Sequence, residues 1–238
     1  MINLTALFQL IMAIVMTLVV FSVFVSYLRT RQKEVLGMML FFIWVALYAY
    51  TQSLPFYLSG GDLRIMGIWF IVSAILIYFV HFHIFFTKFV AAREAILKYR
   101  PYILGVIVFA IISTLFFSFQ EIREPIIDDS GFIFWNAHPF VRWTLAVASI
   151  VWGSVFGFVL FQTARIAESK IARAKAYVLS LDGFAWGIAS FFYFPSESAA
   201  NTAIAFILAL VSFFATAIVF WWARIVGRRQ ENRIDTNV

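Results

Sequence analysis

Of the 238 residues, 63% are hydrophobic and 13% charged, and the mean hydropathy is +0.93. A soluble domain carries about 45–50% apolar and about 25% charged residues, so this chain has too little polar surface to face water and lipid must cover the remainder. The absence of cysteine excludes disulfides, thiolate catalysis and cysteine-based metal sites, and the net charge of +6 needs its distribution examined before any partner is inferred.

A helix crosses the hydrocarbon layer with about 20 predominantly apolar residues. Seven stretches meet that length: about 4–28, 36–58, 65–88, 101–120, 140–164, 175–195 and 199–223. They are continuous, as in VIVFAIISTLFFSF (106–119), whereas barrel strands alternate over about 10 residues. The expected fold is therefore an all-α, seven-transmembrane helix bundle. Span 1 lacks a basic leader and is followed by Arg29, Arg31 and Lys33, so it reads as a retained helix rather than a signal peptide.

Orientation follows the basic residues of the short loops. Arg29, Arg31 and Lys33 follow span 1; Lys88, Arg93, Lys98 and Arg100 follow span 3. Arg165, Lys170, Arg173 and Lys175 follow span 5; Arg224, Arg228, Arg229 and Arg233 follow span 7. One side thus holds 15 of the 18 Lys and Arg, which predicts an N-terminus outside and a C-terminus in the cytoplasm. The positive charge is a topology signal and not a nucleic-acid footprint. The single domain is expected over residues 1–230, with a polar cytoplasmic tail, mobile or partner-bound, over 231–238.

In chain order, span 2 brings the aromatic run FFIWVALYAY (41–50) with Trp44 and Tyr48, and then Gln52. Span 3 brings His81 and His83. The segment QEIREPIIDDSGFIFWNAHP (120–139) combines turn residues with Phe132, Phe134 and Trp135, which are too apolar for a free loop, so it is expected to lie on the interface or fold over the bundle mouth. Spans 5 and 6 each carry G-x-x-x-G, at Gly153 and Gly157 and at Gly183 and Gly187. Such pairs let helix backbones approach closely in lipid. Spans 4 and 7 offer essentially no polar lining.

Ionisable groups at membrane depth are functional candidates. Asp182 in span 6 and His81 in span 3 each lie seven residues from the predicted cytoplasmic edge, about 10 Å deep at 1.5 Å per residue. Equal depth predicts a direct polar contact; otherwise Asp182 is protonated or bonded to a backbone or hydroxyl group. Asp182, His81, His83, Tyr48 and Gln52 are the ligand or switch candidates. His81 and His83 point about 200° apart on a helix and cannot share a haem or a metal, and His138 lies in the outer loop. Span 7 lacks the lysine that a retinal Schiff base requires. No cofactor is expected. Phosphate-loop, zinc-protease and nucleophile-elbow motifs are absent, which argues against an enzyme.

YFVHFHIFF (78–86), followed by a basic loop and Tyr99-Arg100-Pro101-Tyr102, resembles the third span of the seven-helix N-terminal sensor module of bacterial histidine kinases. Trp44 and Tyr48 in span 2 and the basic run TARIAESKIARAKAYVLSLDG (163–183) are similar to that module as well. The resemblance implies a non-catalytic receptor or sensor in the inner membrane of a bacterium, contacting membrane lipids and signalling through a separate kinase-like partner. In that family the seventh span leads into a signalling helix and a kinase, whereas ARIVGRRQENRIDTNV (223–238) contains no heptad, phospho-accepting histidine motif or ATP-binding glycines. A structural or accessory subunit of a larger membrane complex is the alternative, and a small transporter comes third.

Overall fold

A computed structural model describes residues 3–86 and 100–235. The described residues form seven helices and one hairpin. The helices are α1 (Leu4–Thr30), α2 (Lys33–Leu58), α3 (Leu63–Phe86), α4 (Arg100–Gln120), α5 (Pro139–Ile166), α6 (Lys170–Tyr193) and α7 (Ala199–Asp235). The hairpin pairs β1 (Ile126–Ile127) with β2 (Ile133–Phe134), antiparallel, with Ile126 opposite Phe134. Six helices, all but α6, contain segments long and apolar enough to cross a membrane. The architecture fits an all-α, multi-pass membrane protein.

The short connections place helix starts and stops by local chemistry. Asn3 caps α1, its Oδ1 accepting from the Ala6 amide at 2.8 Å. At the far end Arg31 turns left-handed (φ 52°) while its amide donates to the Tyr27 carbonyl, one way a helix end satisfies its last carbonyls. Asp62 takes the amides of Arg64 and Ile65 at 2.9 and 3.1 Å at the start of α3. Ser169 caps α6 through the Ala172 amide at 3.0 Å. His138 precedes Pro139, the first residue of α5, and its Nδ1 accepts from the Phe140 amide at 3.2 Å.

Consecutive helices pack side by side, and α7 returns against α1 to close the bundle. α3 also touches α5 directly, which leaves α4 on the outside. There Val106, Phe109, Ile112, Phe116 and Phe119 of α4 are exposed, as are Ile204, Ile207, Val211, Phe214 and Ile218 of α7. These outward apolar faces are what hydrocarbon would cover. Threonines on the outer faces spend their hydroxyls on the preceding turn, as Thr17 does on the Ala13 carbonyl (2.8 Å) and Thr163 on that of Val159 (2.9 Å).

α6 lacks a long apolar segment of the kind found in the other six, for a visible reason. It buries Ser180, Asp182, Gly183, Gly187 and Ser190 between α5 and α7. The α5–α6 seam is so close that a β-carbon on Gly153 would stand 2.4 Å from the Gly183 carbonyl oxygen. One on Gly183 would stand 2.7 Å from the Gly153 oxygen, and one on Gly157 2.9 Å from the Ser180 oxygen. The Ser180 hydroxyl donates across the same seam to the Gly157 carbonyl at 2.7 Å. Gly187 is pressed on Ile150, whose α-carbon a β-carbon would meet at 3.2 Å.

The 120–139 segment folds back over the bundle mouth. Asp128 organises its turn by accepting from the Ser130 hydroxyl and the Phe132 amide, and Gly131 takes φ 82°, a region that glycine enters without steric cost. The Gly131 carbonyl accepts from the Leu4 amide and the Ile133 amide donates to Thr5 Oγ1, both at 2.8 Å. Phe132, Ile133 and Trp135 are buried as a result. At the opposite end α7 continues as helix to Asp235, so residues 231–235 of the expected tail extend the last helix; 236–238 lie outside the described residues.

Candidate functional site

Two groups of buried polar side chains stand out, and the first lies under the hairpin. Gln52 of α2 donates to Ser73 Oγ of α3 at 2.9 Å and accepts from the Tyr193 hydroxyl of α6 at 2.6 Å. Gln9 of α1 donates to the same Gln52 oxygen at 3.2 Å. Trp135 of the hairpin donates its indole N–H to the Tyr193 hydroxyl at 2.5 Å and stacks on Phe70 with ring centroids 4.8 Å apart. Ser73 passes its own proton to the Phe70 carbonyl at 2.7 Å. One amide side chain thus ties α2 to three other helices and, through Tyr193, to the hairpin.

The second group lies deeper, around a cavity of about 40 Å³. α3 contributes His81, α6 contributes Asp182, Gly183 and Trp186, and α5 contributes Gly153 and Phe156. Phe41, Phe42 and Phe213 complete an aromatic wall from α2 and α7. The close glycine seam sets this geometry, because it lets α6 lean in far enough for Asp182 to face α7. There both Asp182 oxygens accept hydroxyl protons, one from Ser212 and one from Thr216.

The expected direct contact between Asp182 and His81 does not occur: the carboxyl is taken by α7, and neither ring nitrogen of His81 has a hydrogen-bond partner among the described residues. The two residues nevertheless line the same cavity. His81 is 1% exposed and lies between the Tyr78 ring, edge-on at 6.3 Å, and the Trp152 ring, tilted at 6.1 Å. His83 points elsewhere and bonds the Gly37 carbonyl of α2 at 2.7 Å. Tyr48 packs edge-on against Trp186 at 5.6 Å, between the two polar groups. Gln52 belongs to the first group. Lys88, which marked the expected cytoplasmic edge of α3, lies outside the described residues.

The view that the fourth and seventh spans lack polar lining needs correction. Ser212 and Thr216 of α7 hold the one carboxylate of the site, and Thr114 of α4 meets the Tyr78 hydroxyl at 3.1 Å. Ser212 and Thr216 sit four residues apart, on one helix face, and that spacing within an apolar span was the available signal. Gln9, Ser73 and Tyr193 were also missed, though Gln9 is a conspicuous lone amide in span 1; Trp135 stood out only as too apolar for a free loop.

No cluster of three metal-ligating side chains occurs among the described residues. His138 caps α5 and stacks on Phe117 at 4.5 Å. Arg142 pairs with Glu197 at 3.0 Å near the hairpin end, a tie between the start of α5 and the α6–α7 connection. Comparison with protein-family models, curated proteins and solved structures finds no match.

Proposed function

We propose that this chain is a non-catalytic, seven-helix receptor or sensor of the bacterial inner membrane that signals through a separate partner. The observation that carries this reading is the attachment of Asp182 to α7. Ser212 and Thr216 bind its carboxyl, and the same helix runs unbroken to Asp235. From Thr216 to Asp235 is about 28 Å at 1.5 Å per residue. The whole of α7, 37 residues, is about 55 Å long and exceeds a hydrocarbon layer of about 30 Å. A change at the cavity therefore acts on the element that leaves the bilayer. The same reading counts α6 as a membrane span beside the other six, because it packs along α5 and α7 and its polar residues are covered by them. The basic loops set the N-terminus outside and the C-terminus in the cytoplasm. The resemblance to the sensor modules of histidine kinases supports a kinase-like partner at the end of α7.

A photo-crosslinker at Arg233, used in native membranes, tests the proposal. The expected result is a cytoplasmic partner whose yield changes in Asp182→Leu while the chain still accumulates. The broad apolar face of α4 favours a second reading, an accessory subunit of a larger membrane complex. Stoichiometric co-purification with a large membrane assembly, indifferent to Asp182, would replace the receptor by that reading.

A further inference from the structure

The second polar group contains an imidazole whose two nitrogens both face no protein partner among the described residues, although the ring is 1% exposed. A buried nitrogen in that state is costly. A neutral imidazole presents one N–H donor and one acceptor nitrogen, so whatever satisfies it must both accept and donate. The Asp182 carboxyl, on the same cavity, has about four lone-pair positions, of which Ser212 and Thr216 occupy two. An anionic ligand would give the histidine an acceptor but would meet a carboxylate in an aromatic shell. A cationic ligand would suit Asp182 but leave the imidazole N–H without an acceptor. One neutral hydroxyl takes the imidazole N–H on its oxygen and donates its O–H hydrogen bond to Asp182, and a second O–H donates to the other ring nitrogen.

We infer that the cavity between α3, α6 and α7 is a binding site for small neutral hydroxyl groups, which bridge His81 to Asp182. Size sets the class of ligand. About 10–15 Å³ on this measure holds one water, so a cavity of about 40 Å³ admits two or three waters or one short alcohol. The aromatic wall of Phe41, Phe42, Trp186 and Phe213 accepts the alkyl part of such an alcohol. The site then couples α3 to α7 through a replaceable ligand rather than through a fixed side-chain bond. The inference deepens the role proposed above for this site and rests on it only for what the site is used for.

The test is solution or solid-state NMR of the full chain in lipid nanodiscs, with the three histidines labelled in the ring nitrogens. Loss of one signal in His81→Asn assigns it; should that variant fail to accumulate, His83→Gln and His138→Gln assign it by elimination. The expected result is magnetisation transfer from water to the His81 ring, lost or weakened in Asp182→Leu. Titration with ethanol separates the two sources. A saturable shift of the His81 signal with loss of the water transfer makes the alcohol the preferred ligand, and an unchanged transfer makes it water. Absence of transfer from water and from ethanol alike, in the wild-type chain, would overturn the inference. Occupancy is read here without any partner, so a wet site with no effect of Asp182 on crosslinking would sink the receptor reading and leave this inference standing.

Discussion

The two buried polar groups differ in how they are satisfied. Under the hairpin, Gln52 joins Gln9, Ser73 and Tyr193, and Trp135 closes the set; of these side chains only the Gln9 carbonyl oxygen is left without a partner among the described residues. In the deeper cavity Asp182 is satisfied from α7, whereas neither buried nitrogen of His81 has a partner among the described residues. A densely bonded network rigidifies the elements it joins, whereas a buried side chain with no partner at any of its polar atoms calls for something else to satisfy it. The hairpin end therefore reads as a clamp and the cavity as a site. Substitutions should separate the two, with the clamp governing stability and the site governing response.

The largest loss is expected at Trp135→Ala. It removes a buried indole, its stack on Phe70 and the bond to Tyr193, and burying a tryptophan is typically worth about 3–5 kcal/mol. The thermal midpoint in detergent should fall sharply, with α1 and the hairpin losing protection first in hydrogen exchange. Retention of the wild-type midpoint would mean that the hairpin does not clamp the bundle. Next comes Gly153→Val, which forces a side chain into a gap where a β-carbon alone would lie 2.4 Å from the Gly183 oxygen. Overpacking costs about 1–3 kcal/mol and often more where backbone is the obstacle. This variant should lower stability and also disturb the cavity, since Gly153 and Gly183 line it. Gly105, which a β-carbon would leave clear of other atoms, is the control and should tolerate Ala.

Gln52→Leu sharpens the comparison at moderate cost. It keeps the volume roughly but deletes the bonds to Gln9, Ser73 and Tyr193 together. Interhelical hydrogen bonds in membranes average about 0.6 kcal/mol each, so a loss of about 2 kcal/mol is expected in denaturant unfolding, with crosslinking from the end of α7 unchanged. A change in crosslinking as large as that of a cavity variant would merge the two regions into one device.

The sequence makes the bundle legible where a signal accumulates over many residues. Twenty apolar residues in a row define α1 or α4 without reference to any neighbour, and four glycines at matching spacing point to the α5–α6 seam. Phe132 and Trp135, too apolar for a free loop, point to a segment laid on the interface or over the bundle mouth, though not to the hairpin it forms. What remained hidden depends on rotation and on partners. Depth along α3 and α6 brought His81 and Asp182 to one cavity, but depth says nothing about which neighbour a side chain faces, and the carboxyl turned to α7. Ser212 and Thr216 were passed over because such hydroxyls usually bond their own helix, as Thr17 and Thr163 do. The continuation of α7 beyond its apolar run was obscured by its polarity, which ends a membrane span but not a helix.

The smallest expected effect on stability, and the most informative, is that of Asp182→Asn. The amide oxygen can still accept from one of Ser212 and Thr216, and the amide N–H₂ can donate to the other once that hydroxyl turns, so the link from α6 to α7 survives in altered polarity. A change of about 0.6 kcal/mol or less is expected, the size of one interhelical bond. Asp182→Leu removes both bonds and strands two hydroxyls in an apolar interior, so it should cost more. The pair thus separates holding from responding. If Asp182→Asn keeps the thermal midpoint yet changes crosslinking at Arg233, charge or acceptor capacity at this position carries the signal. If crosslinking follows stability through both variants, Asp182 serves to hold α6 on α7, and the cavity joins the hairpin end as a second clamp.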